Sequence, residues 1–166
     1  MTRGAPATDE VFRAVLGHRQ PEVLAALTEA HEAAWLVTDA DLLDLCRVRI
    51  AMLLGFDAGL AAPDLDAERL GDLAAWPTSP RFTGRERAGL AFAEQFVIDV
   101  ASMDDSTVAA LVDELGGDGV VNFANALLVV EQRQRLHLMV IALGGVDAVT
   151  TEIVRVRAAK HHECQT

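Results

Sequence analysis

Apolar residues in this chain recur every three or four positions and hardly ever every second one. Leu42, Leu45, Val48 and Met52 form one such stripe, running up to Gly55. This spacing puts apolar side chains on one face of a helix, whereas a half-buried strand needs a period of two. No alternating stretch of useful length exists, so the expected fold class is all-α. The 166 residues suffice for one domain with its own core. A chain that is 51% hydrophobic and 23% charged has a globular composition.

Stop and start signals divide the chain. A first short helix is expected over 9–16 with Thr8 as N-cap. A second opens at Pro21, a good first-turn residue, and runs through VLAALTEAHEAAWLV. A third starts near Asp39 or Asp41 and ends at Gly55. A shorter helix over 66–76 is closed by Pro77 and Pro80. Thr83 and Glu86 have the spacing of a capping box and open a long helix to about Val100. Asp104, Asp105 and Ser106 cap the next, which Gly116 and Gly117 stop after Leu115. The last long helix is expected from about Gly119 to Leu143, followed by a weaker helical stretch over 148–160 and a polar tail over 161–166. With no linker and no evident repeat, residues 1–166 read as a single domain of about seven helices, its core over 9–145.

Charge and composition remove several function classes. A formal net charge of −11 argues against nucleic acid, whose phosphates need a dense basic patch. Arg and Asp interrupt every apolar run before the roughly 18 residues a membrane span requires. The start, MTRGAPATDE, lacks the apolar region of a signal peptide, so a cytoplasmic protein is expected. The two cysteines, Cys46 and Cys164, form no CxxC, zinc spacing or disulfide framework. His31 and Glu32 do not belong to a repeated metal-binding spacing, and a di-iron bundle is not expected. His161, His162 and Cys164 read as a frayed tail that binds metal at most adventitiously. Neither metal nor cofactor is implied.

The order of motifs resembles the carboxymuconolactone decarboxylase and alkylhydroperoxidase-D-like family. The matching pieces are RVRIAMLLG, then LAAWPTSPRFTGRERAGLAFAEQF, then VVNFANALLVVEQRQRLHLMVIALG, with Trp76 to Ala91 the most specific. The resemblance implies an all-helical fold that assembles into trimers or hexamers, with sites near subunit interfaces. Peroxidase members use a Glu, two Cys of a CxxC and a His as a thiol relay. At the matching positions this chain has Asp44 for the Glu, Phe56 and Gly59 for the cysteines, and Pro63 for the His. Peroxide reduction needs one thiolate to be oxidised and a second thiol to resolve it, which Phe56 and Gly59 cannot supply. Cys46, ten residues before the corner, reads as buried inert packing that points away from Arg47. The chain resembles a divergent member without CxxC and without thiol peroxidase activity.

Other polar residues then become the candidates. Asp44 and Arg47, three apart, share a helix face; they form either a surface ion pair or a proton shuttle with an anion clamp. Arg49 reads as structural. The run EQRQRLH over 131–137 spaces Glu131 to pair with Arg135 and is either a polar belt at an interface or a site. In the second case His137 titrates near neutral pH as acid or base and Gln134 orients a ligand. Asn122 and Asn125, one turn apart, read as buried and bonded to helix ends. Trp35 and Phe56 are either core aromatics or the walls of an apolar pocket.

Two functions are compatible with these residues. The first is a cofactor-independent enzyme, a decarboxylase, isomerase or cyclase acting on a small apolar or aromatic molecule. Asp44 and His137 would move protons and Arg47 would hold a carboxylate or enolate. The second is a non-catalytic oligomer of the same fold that binds a small ligand or serves as a scaffold. A corner plugged by Phe56, with Asp44 and Arg47 paired to each other and no cavity, favours the second.

Overall fold

The structure, a computed structural model, describes residues 6–60 and 65–144, and of residues 6–12, 58 and 141–144 only the backbone. Seven helices follow one another: α1 (Pro6–Arg19), α2 (Pro21–Leu36), α3 (Ala40–Leu54), α4 (Ala67–Asp72), α5 (Gly84–Asp99), α6 (Asp105–Leu115) and α7 (Gly117–Gly144). Short 3-10 turns occupy Asp57–Leu60, Leu73–Ala75 and Val100–Ser102. No strand occurs among the described residues. None of the described helices is long and apolar enough to cross a membrane.

Helix α3 is the centre of the packing. It lies against α5 on one side and α7 on the other, with α2 and α1 packed on α7 and α6 bridging α5 and α7. The core is therefore built from the inner faces of α3, α5 and α7. Leu43, Ile50, Leu90, Phe123 and Leu127 are fully buried there. Removing such side chains from water is the main stabilising term, about 1.5–3 kcal/mol for each large one.

Side chains fix the helix ends. Asp39 accepts from the backbone amides of Asp41 and Leu42, Asp66 from that of Arg69, and Asp104 from that of Thr107. Thr83 and Glu86 form the complete capping box at the start of α5. The boundaries differ from expectation at three places. α1 starts at Pro6, in the first-turn position proline favours, rather than at Asp9. The segment before Trp76 tightens from α4 into a 3-10 turn after Asp72. The break between α6 and α7 falls on Gly116 alone, at φ 74°, while Gly117 already belongs to α7. The stretch over 148–160 and the tail over 161–166 lie outside the described residues.

The loop between α4 and α5 has a side chain for its scaffold. Arg87 donates to the carbonyl oxygens of Phe82 (3.1 Å), Trp76 (2.9 Å), Pro77 (2.7 Å) and Ser79. Trp76 Nε1 in turn donates to Glu94, which also accepts from Arg49 on α3. Arg49 thus ties α3 to α5, as its structural reading required.

Candidate functional site

The corner after α3 is a helix stop built from backbone bonds. Gly55 adopts the left-handed conformation at φ 64°. Its amide donates to Met52 O at 3.2 Å and the Phe56 amide to Ala51 O at 2.8 Å. That pair of bonds is the Schellman motif, in which the residue after the glycine makes an apolar contact back to the helix. Phe56 is that residue. A Cβ on Gly59 would lie 2.6 Å from Phe56 Cδ1 and 2.8 Å from Ala51 Cβ, so the ring is seated directly on Gly59. Only 5% of Phe56 is exposed. Phe56 and Gly59 together close the corner by packing.

Beneath the ring lies a buried polar group drawn from α3 and α7. Arg47 Nε donates to Asp44 Oδ1 at 2.8 Å, and Arg47 Nη1 donates to the Gly59 carbonyl at 2.5 Å. The guanidinium thus joins the middle of α3 to the turn that follows it. From α7, Gln134 Nε2 donates to the Arg47 carbonyl at 2.8 Å. The His137 ring faces Phe56, with centroids 5.7 Å apart and a tilt of 52°. Asp44, Arg47, Gln134 and His137 are all buried. The surface ion pair considered for Asp44 and Arg47 is in fact an interior one, with each side chain only 9% exposed. Charges withdrawn from water need partners, and these two supply each other.

The structure brings five of the sequence candidates together: Asp44, Arg47, Phe56, Gln134 and His137. Trp35 is placed differently. It is partly buried on α2, donates from Nε1 to His31 Nε2 at 3.2 Å and meets the His31 ring edge-on. Glu131, also buried, accepts from Arg135 and from Gln132 on its own helix, as the four-residue spacing predicted for Arg135. Asn122 and Asn125 do not follow expectation. Both are exposed, because they lie on the outward side of α7, and burial cannot be their reason. Gly59 carries a role that spacing alone did not reveal. Its carbonyl anchors Arg47 and its missing Cβ admits Phe56, and the only signal was a glycine four residues beyond the helix stop at Gly55.

Cys46 is fully buried in the core. Burial pushes its thiol far above the ordinary range, and the nearby Glu86 charge adds to the shift. The thiol therefore stays protonated at physiological pH, the unreactive form. Among the described residues no three His, Cys, Asp or Glu side chains converge to hold a metal ion. Chemically, the site offers a buried ion pair, an imidazole against a phenyl ring, and an amide anchored at one end.

No family model matches the chain, and no curated protein matches it. Among solved structures it is similar to the crystal structure of an Agrobacterium tumefaciens protein of unknown function that carries the provisional designation antioxidant defence protein AhpD. The TM-score is 0.66 at 16% identity, over 74% of this chain and 90% of that one. Identity that low speaks to architecture and not to activity. The chain has the AhpD-like all-helical fold.

Proposed function

We propose that this protein is a divergent AhpD-like protein that binds a small apolar or aromatic molecule and performs no thiol chemistry. The observation that carries the proposal is the closed corner. Phe56 stands where the resemblance calls for a thiol and is packed on Gly59, while Asp44 and Arg47 satisfy each other. The Asp44 carboxylate is held through Oδ1 by the Arg47 guanidinium, a pairing that needs no substrate to complete it. Cys46, buried and protonated, cannot substitute for a peroxidatic cysteine. The test is hydroperoxide consumption by the purified protein with and without a thiol-blocking reagent. No thiol-dependent consumption is expected; consumption that the reagent abolishes overturns the proposal.

A second reading is cofactor-independent acid–base catalysis on the same class of molecule. What favours it is the placement of His137 beside Phe56, since an imidazole at an aromatic wall can move a proton at neutral pH. Turnover of an identified substrate that survives both Asp44→Asn and His137→Ala would exclude these two as its acid and base.

Either reading goes with a homotrimer or homohexamer, as the resemblance implies. Val121, Leu128 and Met139 are exposed apolar residues on one stripe of α7, interleaved with exposed Asn125, Gln132 and Arg135. Helices that leave such a seam uncovered usually pair it with another helix. Light scattering on the eluting protein tests this; a monomer at micromolar concentration contradicts it.

A further inference from the structure

We propose that α7 pairs with α7 of a second copy of this chain, antiparallel about a twofold axis level with Val130, with Val121 of each copy against Met139 of the other. The inference rests on the oligomer reading above and names its interface.

The basis is the way exposure is distributed around α7. Val121, Asn125, Leu128, Gln132, Arg135 and Met139 are exposed at alternating steps of four and three residues, the spacing of a coiled-coil seam. On the opposite side Phe123, Ala126, Leu127 and Val130 are buried in the chain's own core. Ala124, Val129, Leu136 and Leu138 border the seam and are half-buried. A surface helix normally turns charged residues outward, whereas a helix apolar on every side is covered on every side. The seam departs from the surface pattern: Val121, Leu128 and Met139 are 59%, 43% and 56% exposed, and Arg135 is its one charge. Its two long polar side chains are turned onto their own helix, since Glu131 accepts from Gln132 Nε2 at 2.8 Å and from Arg135 Nε. Their methylene stems are left to face a partner.

The order of residues along the seam selects the partner and its direction. In an antiparallel pair the a positions of one helix oppose the d positions of the other. With Val121 against Met139, Asn125 comes against Arg135 and Leu128 against the Gln132 stem, each layer occurring twice. Apolar thus meets apolar at both ends, and amide meets guanidinium further in. A guanidinium has five N–H donors, enough to keep Glu131 and reach the Asn125 amide oxygen. A parallel pair would set Arg135 against Arg135 and align the two helix dipoles, both unfavourable. A twofold pair of this kind occurs in a homohexamer of three such pairs and has no place in a homotrimer.

The experiment is oxidative cross-linking of the full chain carrying Cys164→Ser, with copper phenanthroline as oxidant. Positions 121 and 139 of one helix are about 27 Å apart, beyond the roughly 7 Å between Cα atoms that a disulfide allows. Any bridge between them therefore joins two chains. Val121→Cys combined with Met139→Cys is expected to run mainly as a covalent dimer on a non-reducing gel, and either single variant to stay at monomer mass. Leu128→Arg, which brings two added charges close to the axis, is expected to halve the mass read by light scattering. Should the double variant fail to fold by circular dichroism, Leu128→Arg decides. The proposal is overturned by a folded double variant that does not cross-link, by a single variant that cross-links to itself as a parallel pair would, or by an unchanged mass of folded Leu128→Arg. A trimer by light scattering without the cross-link overturns this interface and leaves the oligomer reading standing. A monomer without the cross-link, as coverage of the seam by residues 145–166 of the same chain would give, overturns both.

Discussion

Asp44 and Arg47, one turn apart on α3, hold each other at 2.8 Å inside the protein, at 6% and 8% exposure. On a helix surface the same pair would contribute a few tenths of a kcal/mol. In the interior the asymmetry between losing one partner and losing both governs what a substitution does. Arg47→Met leaves a buried carboxylate uncompensated and is expected to cost about 3–5 kcal/mol. Asp44→Leu with Arg47→Met should cost less than the sum of the two single changes, since neither charge is then stranded. Urea unfolding of the three variants measures the difference; strict additivity would mean that the two side chains do not act as a pair.

Cys46 makes a prediction for alkaline pH. Burial raises its folded-state pKa, so the native protein keeps a proton that the unfolded chain releases above a thiol pKa of about 8.5. The stabilisation is complete below that value and is lost as pH rises through it, with a slope of about 1.4 kcal/mol per pH unit from this one group. Cys46→Ala should remove that slope. Unfolding titrations of both proteins between pH 8 and 10 test it. In the native state iodoacetamide should leave Cys46 unmodified.

Glu86 predicts the opposite dependence at acid pH. Burial pulls its carboxyl upward, but the hydrogen bonds from Thr83 and Arg69 and the Arg69 charge outweigh that and set it below the ordinary value. A lowered carboxyl stabilises above its unfolded pKa of about 4.3, and the stabilisation disappears as pH falls through the folded value. Glu86→Gln is expected to cost about 1 kcal/mol at pH 7, in the range of a helix cap. It should cost less at pH 2, in the direction in which the Glu86 carboxyl takes up its proton. Equal losses at both pH values would contradict the assignment.

Gly59 tests the closed corner. Gly59→Ala places a methyl group 2.6 Å from Phe56 Cδ1 and 2.8 Å from Ala51 Cβ, and overpacking of that kind costs about 1–3 kcal/mol. Gly55→Ala meets nothing within 4 Å, and its cost of about 1 kcal/mol comes from the left-handed backbone at φ 64°. In a Phe56→Ala background the Gly59 penalty should shrink and the Gly55 penalty should not. Thermal unfolding of the five variants, the three single and two double changes, gives the comparison.

Local chemistry made most of the fold legible. Asp39, Asp66, Thr83, Asp104 and Gly55 all act at the helix ends where their side chains or backbones suit them. What remained hidden was tertiary. A three-residue spacing is the same on a helix surface and in a core, so Asp44 and Arg47 gave no sign of their burial. The meeting of Phe56 with His137 joins segments far apart in the chain. Asn122 and Asn125 face outward because the side of α7 that packs inward begins with Phe123 and continues through Ala126 and Leu127. Polarity by itself does not say which side of a long helix is the inner one.

Arg87 gathers the carbonyls of Trp76, Pro77, Ser79 and Phe82 around one guanidinium. The segment that precedes α5 is thus moulded by a residue synthesised after it. A nascent chain that has emerged only as far as Phe82 has all of the loop and none of its template. Its final shape must wait for the first turn of the next helix to leave the ribosome.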